Sequence, residues 1–525
     1  MSPSASDVPS PPATEPIPAE VEALREHLAP IQDLRTAAQV LSWDQETYMP
    51  SGGAEARAHQ LSTLQRLAHE RFVADETGRL LSDAEAAADG LDPESDAASL
   101  VRVTRRDFDR ERTVPSDLVA RMSQAVSRAK EAWKSARADD DFDAFAPHLE
   151  TIVELNVEKA EAIGYKEEAY DALLDEYEPG MTTAEVADTF DRLRKDLVPL
   201  VDAIADAPQI DDSVLQGSFP VEAQKAFGED IIREIGYDFD RGRQDVSAHP
   251  FTTSFGVGDV RLTTRFDENH FGSSLYSTLH EAGHGMYEQG IDPDLERTPL
   301  AEGASLGIHE SQSRFVENQI GRSRAFWERY APMAREAFPD ALADAGADDL
   351  YRAVNRVEPS LIRVEADEVT YNLHVMLRFE LERGLVRGDV DVRELPDLWR
   401  DKMDTYLGVV PDTDANGVLQ DVHWSLGAIG YFPTYALGTL MSAQIAEAME
   451  ADLGDLDARV SRGEFQPILD WLRTHIHRHG RKYTAPELLK RATGEAFSAD
   501  AWLQSIREKY GALYDASLPQ PGDAT

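Results

Sequence analysis

Apolar residues recur at three- and four-residue spacing along most of the chain, from about Val21 onward. This spacing places apolar side chains on one face of an α-helix, so it predicts a mostly helical protein. Turn signals such as "EPGMT" and "APELL" separate the predicted helices. The pattern is clearest in residues 22–45, 115–140, 437–456 and 469–482.

One region departs from the helical pattern. The segment "HPFTTSFGVGDVRLTTRFDENHF", residues 249–271, is rich in β-branched and aromatic residues interrupted by glycines, which predicts two or three short strands. No linker rich in Pro, Gly or Ser divides the chain beyond its N-terminal stretch. We therefore expect a single domain over residues 19–520, with a small sheet. Residues 1–18, rich in Ser, Pro and Ala, are expected to form a disordered tail.

Composition narrows the class of protein. With 42% hydrophobic residues the chain of 525 can build a large core, and no apolar run is long enough to span a membrane. The N-terminal stretch lacks the basic residues and apolar run of a secretory signal, so we expect a cytoplasmic protein. There is no cysteine, which excludes disulfides, thiolate ligands and a cysteine nucleophile. Any metal must therefore be held by His, Asp or Glu.

The charge balance is strongly acidic. Asp and Glu number 97 against 52 Lys and Arg, for a formal charge of −45, and lysine supplies only ten of the 52. Binding of nucleic acid through a basic surface is thereby excluded. Self-repulsion would destabilise the fold in dilute buffer, whereas ~1 M salt shortens the Debye length to about 3 Å. We predict a salt-requiring protein from a halophile, with an ordinary acidic enzyme as the alternative.

The segment "STLHEAGHGMYEQG", residues 277–290, carries the clearest chemical signal. His280 and His284 stand four residues apart on one helical face, so both rings can bind the same ion. Glu281 is offset by about 100° and can take a proton from water beside that ion. The alternative is a pair of neutral histidines in a helical core. The pattern predicts a catalytic metal site whose ligands are histidines and carboxylates.

Such a site needs a third ligand. A second predicted helix lies downstream, in "LGIHESQSRFVENQIG", residues 306–321. On spacing alone, the candidates for the third ligand are Glu302, Glu310 and Glu317.

Five sequence blocks, in order, resemble one known family. They are "SWDQETYMP" near the start, "DVRLT" before the histidine helix, "HEAGH" followed by "HESQSR", "IRVEADE" (residues 362–368) and "GVLQDVHWSLGAIGYFPTY" (residues 417–435). From about residue 20 to its end the chain is similar to the thermostable metallocarboxypeptidases, also called carboxypeptidase Taq-like. The resemblance implies a helical, saddle-shaped fold with a deep groove, related to neurolysin and angiotensin-converting enzyme, with the small sheet beside it.

The resemblance also implies an activity. Enzymes of this kind remove single residues from peptide C-termini with broad specificity, use zinc or cobalt, and are usually homodimers. Matched onto this sequence, the metal ligands are His280, His284 and Glu310, and the general base is Glu281. Peptides with a free C-terminus are the expected substrates, and Zn²⁺ is expected ahead of Co²⁺.

The last block belongs to the active site of the resembled family. It makes His423 and Tyr435 the candidate donors to the oxyanion of the reaction. An enzyme that cuts at the C-terminus must also bind the terminal carboxylate, and a buried arginine does this best because it bonds with two donors. Arg363 is the first choice and Arg261 the second, although Arg261 could instead position the substrate backbone or pair with Asp259.

The partners of the ligand histidines are left open by the sequence. A metal-bound histidine gives its other N–H to a carboxylate or carbonyl. In thermolysin-like sites an acid four residues after the third ligand has this role, but that position is Arg314 here. Asp367 and Glu368 are the candidates instead, and His309 has a core or supporting role.

Three rival functions are less well supported. An endopeptidase of similar fold would not need "IRVEADE" and "DVRLT", and a non-catalytic binding protein would not need the complete set of ligands with Glu281. A zinc aminopeptidase needs an acidic anchor for the substrate amine, and no matching motif is present.

Overall fold

The computed structural model describes residues 17–516 and 518. Within these residues nine α-helices precede a small sheet, connected by short turns. They are α1 Ala19–Thr47, α2 Ala54–Phe72, α3 Asp75–Ala88, α4 Asp96–Thr113, α5 Ser116–Asp139, α6 Phe142–Ile163, α7 Ala169–Leu174, α8 Thr183–Ala205 and α9 Val221–Ile235.

The sheet has three strands in the order β1-β3-β2. The strands are β1 Gly242–Val246, β2 Thr252–Ser254 and β3 Val260–Thr264. The central strand, β3, pairs in parallel with β1 and antiparallel with β2. The sequence predicted β2 and β3 but missed β1, because "GRQDV" has no apolar alternation to mark it as a strand.

Helices follow the sheet to the end of the described chain. They are α10 Phe271–Gly290, α11 Leu306–Arg314, a π-helix over Phe315–Gly321, α12 Arg324–Ala337, α13 Ala347–Val354, α14 Tyr371–Arg387, α15 Leu395–Leu407, α16 Pro433–Leu453, α17 Leu456–Arg462, α18 Phe465–His475, α19 Ala485–Thr493 and α20 Asp500–Tyr514. The prediction of a mostly helical protein with a small sheet is confirmed.

One predicted helix is shorter than expected. The apolar pattern of residues 469–482 predicts a continuous helix, but α18 ends at His475 and a single 3-10 turn follows. Gly480 has a positive φ of 50° at this point. Its backbone packs directly on the carbonyl of Leu300, which accepts the N–H of Arg481 at 3.0 Å. The turn therefore joins this segment to the loop between α10 and α11.

Buried apolar residues form two clusters. The smaller one joins α1–α4 to the loop after α10 through Ile291, Leu295 and Leu300. The larger one fills the space between the sheet and the remaining helices. Within the described residues, no helix is both long enough and apolar enough to cross a bilayer. The predicted tail lies outside the described residues except for Ile17 and Pro18, as do Ser517, Pro519 and Gln520 of the predicted domain.

Candidate active site

Two histidines and a glutamate converge between α10 and α11. His280 and His284 lie one turn apart on α10, and Glu310 lies in the middle of α11. Glu310 Oε2 is 3.6 Å from the Nε2 atoms of both histidines. One ligand atom from each residue lies within 4.8 Å of the other two. Two imidazole nitrogens and a carboxylate oxygen at this spacing are a donor set that fits a divalent transition-metal ion.

Side-chain caps fix where the two helices begin. His270 accepts the backbone N–H of Ser273 at 3.2 Å and so caps α10. Ser305 Oγ accepts the N–H of Ile308 at 3.0 Å and caps α11. These caps satisfy backbone donors that have no partner within the helix, and they mark where each helix begins.

Two glycines allow α11 to approach its neighbours closely. A Cβ atom at Gly283 of α10 would lie 2.5 Å from Ser313 Cα. On another side of α11, a Cβ atom at Gly438 of α16 would lie 2.5 Å from Glu310 Cβ. Neither contact leaves room for a side chain, so both neighbouring helices present bare backbone to α11. The position of Glu310 is therefore determined by packing on two sides.

Each of the two candidate ligand histidines, His280 and His284, has a partner for its second ring nitrogen. His280 Nδ1 donates to Glu317 Oε2 at 2.9 Å. His309 Nε2 lies 2.8 Å from Glu288 Oε1, and His309 Nδ1 lies 2.6 Å from His284 Nδ1. Each Nδ1 atom of the two candidate ligands is thus engaged by a neighbour and each Nε2 faces Glu310, the arrangement that metal binding requires of the two rings.

The prediction that Asp367 or Glu368 supports a ligand histidine is wrong. Asp367 accepts from Thr370 Oγ1 at 2.8 Å, and Glu368 accepts from Lys509 at 2.6 Å. Asp367 is thus engaged within its own segment and Glu368 by α20, so neither carboxylate is bonded to His280 or His284. The carboxylate that supports His280 is Glu317, which sequence spacing had offered only as a candidate ligand.

Glu302, the other candidate ligand, is half-exposed and pairs with Arg481 at 3.2 Å. The supporting role of His309 was one of the two alternatives left open by the sequence, whereas Glu288 was not predicted. Its position four residues after His284 puts it on the same helical face, which is the signal that could have found it.

The groups around His280 and His284 favour a positive charge in the space between the two rings and Glu310. Burial alone lowers the pKa of His280, but Glu310 and Glu317 raise it above its ordinary value. Burial and the neighbouring histidines hold the pKa of His284 well below its ordinary value, so this ring is neutral and available as a ligand. A cation between these groups would satisfy both rings and Glu310 at once.

Glu281 is held beside the ligands by the sheet. Thr252 of β2 donates its hydroxyl to Glu281 Oε2 at 2.6 Å. The side chain is buried, and burial raises the pKa of its carboxyl. The edge strand β2 thus orients the carboxylate that follows His280 in the chain.

His423 and Tyr435 lie together. His423 begins a 3-10 turn, Tyr435 lies in the first turn of α16, and His423 Nε2 is 3.1 Å from the Tyr435 hydroxyl. Burial lowers the pKa of His423 to about 4, so the ring is neutral at pH 7. Tyr435 precedes Gly438, the α16 residue that packs on Glu310, by one turn of helix.

Arg363 lies directly beside Tyr435. Its guanidinium carbon is 4.9 Å from the centre of the Tyr435 ring, and its side chain is only 6% exposed. Nη2 donates to Asp421 Oδ1 at 2.7 Å, and Nη1 donates to the Tyr371 hydroxyl at 2.9 Å. Asp421 also accepts from Arg378 at 2.6 Å. The single negative charge of Asp421 thus faces two buried guanidinium groups, so a net positive charge remains around Arg363 and Arg378.

Arg261 is placed differently. Both Nε and Nη2 donate to Asp259, each at 2.8 Å, so Asp259 occupies two of its donors. Its guanidinium lies 4.3 Å from the centre of the Trp43 ring and 4.9 Å from that of Phe255. The "SWDQETYMP" and "DVRLT" blocks therefore meet at this arginine.

The fold and the site together define a helical metallopeptidase. The chain matches the model of the family "Carboxypeptidase Taq (M32) metallopeptidase" over residues 23–510. It is 45% identical to thermostable carboxypeptidase 1 of Thermus thermophilus over 491 residues, 92% of this chain and 96% of that protein. It is 40% identical to carboxypeptidase 1 of Bacillus subtilis over 479 residues, 91% and 95% of the two chains.

Solved structures agree with the sequence comparisons. The M32 carboxypeptidase of Deinococcus radiodurans R1 superposes with a TM-score of 0.92 at 44% identity, covering 95% of this chain and 100% of that one. The chain belongs to the M32 family of metallocarboxypeptidases. It is a metal-dependent carboxypeptidase that acts on peptides, and the predicted family and enzyme class are confirmed.

Proposed function

We propose that His280, His284 and Glu310 hold one divalent ion, with Zn²⁺ preferred and Co²⁺ accepted. The observation that carries this proposal is the convergence of His280 Nε2, His284 Nε2 and Glu310 Oε2, with both Nδ1 atoms engaged elsewhere. Imidazole and carboxylate ligands suit these borderline ions. An ion held there supplies a Lewis acid and makes water acidic enough to lose a proton near neutral pH.

Glu281 is the proposed general base. Thr252 engages Oε2, and among the described residues no hydrogen bond is recorded to Oε1. Oε1 accepts the proton of the attacking water and then delivers it to the nitrogen of the leaving amino acid. The raised pKa of this buried carboxyl brings proton uptake and release closer to neutral pH.

His423 and Tyr435 are the proposed donors to the oxyanion that forms on the scissile carbonyl. The Tyr435 hydroxyl stays protonated, because burial raises its pKa well above the ordinary value. The 3.1 Å contact between His423 Nε2 and the Tyr435 hydroxyl places the two groups side by side, so that both can turn their hydrogens toward one oxyanion. A donor fixed in advance stabilises developing charge at little reorganisation cost.

Arg363 is the proposed anchor of the substrate's terminal carboxylate, ahead of Arg261. Two features favour it: its position beside Tyr435 and the single carboxylate shared by two buried arginines. A guanidinium has five N–H donors, and the contacts with Asp421 and Tyr371 use three of them. Arg261 bonds Asp259 through the same two donors, but among the described residues no second arginine is recorded at Asp259, so that pair carries no excess of positive charge.

One experiment tests the reaction and the anchor together. A peptide with a free C-terminus and the same peptide with an amidated C-terminus are incubated with metal at high salt, and the products are read by mass spectrometry. We expect stepwise loss of single residues from the free peptide only, and none from Glu281→Gln. Arg363→Gln should lose most of kcat/KM for the free peptide, whereas Arg261→Gln, the matched control, should lose much less. Equal losses would remove the preference for Arg363, and internal cuts in both peptides would show an endopeptidase, which would remove the proposed role of Arg363.

Other features remain proposals of the same kind. The family match over residues 23–510 supports a single domain within residues 19–520. The formal charge of −45 supports a salt requirement and a halophilic source. Broad C-terminal specificity, a homodimer and a cytoplasmic location stay predictions from the sequence.

A further inference from the structure

Arg314 divides the two oxygens of Glu310 between different partners. Its Nε donates to Glu310 Oε1 at 2.7 Å. The other oxygen, Oε2, is the one that lies 3.6 Å from Nε2 of both His280 and His284. Ser313 Oγ adds a longer contact to Oε2 at 3.3 Å. The carboxylate is therefore oriented, with one oxygen bound to a cation of the protein and one directed toward the histidines.

The same guanidinium reaches the residue that orients His280. Arg314 Nη1 donates at 3.2 Å to Glu317 Oε2, the oxygen that accepts from His280 Nδ1. Burial disfavours the charge on Arg314, but Glu310 and Glu317 raise its pKa and keep it protonated. Arg314 thus contacts one proposed ligand directly and another through a single carboxylate.

The local backbone holds Arg314 in this position. Glu310, Arg314 and Glu317 stand at positions i, i+4 and i+7 and share one face. Arg314 is the last residue of α11, and the π-helix starts at the next residue. π-helices are rare and occur frequently at functional sites. The guanidinium also lies 4.4 Å from the centre of the Tyr371 ring, whose hydroxyl accepts from Arg363.

We propose that Arg314 is a positioning residue that makes Glu310 offer a single oxygen to the metal. The fork of the guanidinium has this effect, because its Nε and Nη1 bond two carboxylates whose separation is set by the backbone. A glutamate that offers one oxygen leaves room for water and substrate at the ion. This inference rests on the proposed ligand set of His280, His284 and Glu310.

The test measures Zn²⁺ affinity of the apoprotein by competition with a chromogenic chelator, so it does not depend on activity. Loss of a group that orients a ligand typically weakens metal affinity about 10- to 100-fold. We expect a loss of this size in Arg314→Gln and also in Arg314→Lys, because lysine keeps the charge but not the fork. Circular dichroism of both variants checks that the fold is retained.

Two further arginine variants give the comparison. Arg105 of α4 also bridges two carboxylates, Glu85 and Asp109, far along the chain from the site, and Arg105→Gln should bind Zn²⁺ as the wild type does. Arg322 contacts Glu317 Oε1 at 3.2 Å, so Arg322→Gln should lose less affinity than Arg314→Gln.

Three outcomes would overturn the proposal. They are unchanged affinity in Arg314→Gln, restored affinity in Arg314→Lys, and equal losses in Arg322→Gln and Arg314→Gln, which would place the effect on Glu317. A Glu310→Gln variant separates the two levels of inference. If it too binds Zn²⁺ normally, the ligand set itself has failed and the role of Arg314 falls with it.

Discussion

Gly283, the fourth residue of "HEAGH", offers the sharpest test of how the site is built. A Cβ atom there would lie 2.5 Å from Ser313 Cα and closer still to the carbonyl oxygen of Gln312. Both atoms belong to the backbone of α11, so no side-chain rotation can relieve the overlap. Ordinary contact begins at 3.4 Å. Gly283→Ala must therefore push α11 away from α10 by about 1 Å.

The size of the effect follows from what α11 carries. Metal–ligand distances tolerate changes of only about 0.2 Å, and Glu310 moves with the helix while His280 and His284 do not. Overpacking a buried contact costs about 1–3 kcal/mol. If that strain is released when Glu310 leaves the ion, the dissociation constant for Zn²⁺ rises about 5- to 150-fold.

The assay is Zn²⁺ competition together with thermal unfolding of the apoprotein. Gly511→Ala is the matched control, because Gly511 lies in α20 and a Cβ atom there would have no neighbour closer than 3.5 Å. It should keep wild-type affinity and gain up to about 1 kcal/mol from better helix propensity. Gly283→Ala with wild-type affinity and no loss of stability would refute the close contact between α10 and α11.

Three further predictions concern pH, salt and metal. Glu178 is fully buried in the segment between α7 and α8, where its Oε1 accepts the backbone N–H of Gly307 at the start of α11, and burial raises the pKa of its carboxyl to about 8. The stability that the protonated form contributes is complete below about pH 4.5 and lost as pH rises through about 8, which corresponds to about 5 kcal/mol in the free energy of unfolding. Free energies from urea unfolding should show this decline in the wild type and lack it in Glu178→Gln; parallel curves for both proteins would contradict this. Lowering KCl from ~1 M to ~0.1 M should lower the unfolding temperature, because the Debye length grows from about 3 to about 10 Å; an unchanged temperature would argue against a halophilic protein. A chelator should abolish carboxypeptidase activity without loss of circular dichroism, and Zn²⁺ or Co²⁺ should restore it; activity that survives complete metal removal would exclude the proposed site.

The sequence was most informative where a function depends on local spacing. The two histidines and Glu281 need only one helix, so their relative positions follow from the helical repeat. The support of His280 by Glu317 was also within reach, since Glu310, Arg314 and Glu317 share a helical face. It was missed because an acid was expected at position 314, whereas the protein places an arginine there and the acid three residues later.

Residues that meet across long stretches of chain were harder to predict. A supporting role of His309 was one expectation, but its contact with His284 depends on the close approach of α10 and α11 at Gly283, which no pattern in either helix encodes. The strand β1 carries no apolar alternation, so its pairing with β3 became visible only in the folded chain. Packing between elements, which local propensity does not specify, decided both cases.

The two candidate arginines, Arg261 and Arg363, show which ion pairs can be predicted from sequence and which cannot. Asp259 and Arg261 stand two residues apart, and side chains at that spacing point to the same face of an extended strand, so their pairing could be anticipated. The partners of Arg363 could not, because Asp421 lies 58 residues further along the chain and also accepts from Arg378. A sequence shows whether an arginine has an acid nearby along the chain, but only the fold shows how many arginines share that acid. Two buried arginines share Asp421, and this excess of positive charge is what favours Arg363 as the proposed anchor of a substrate carboxylate.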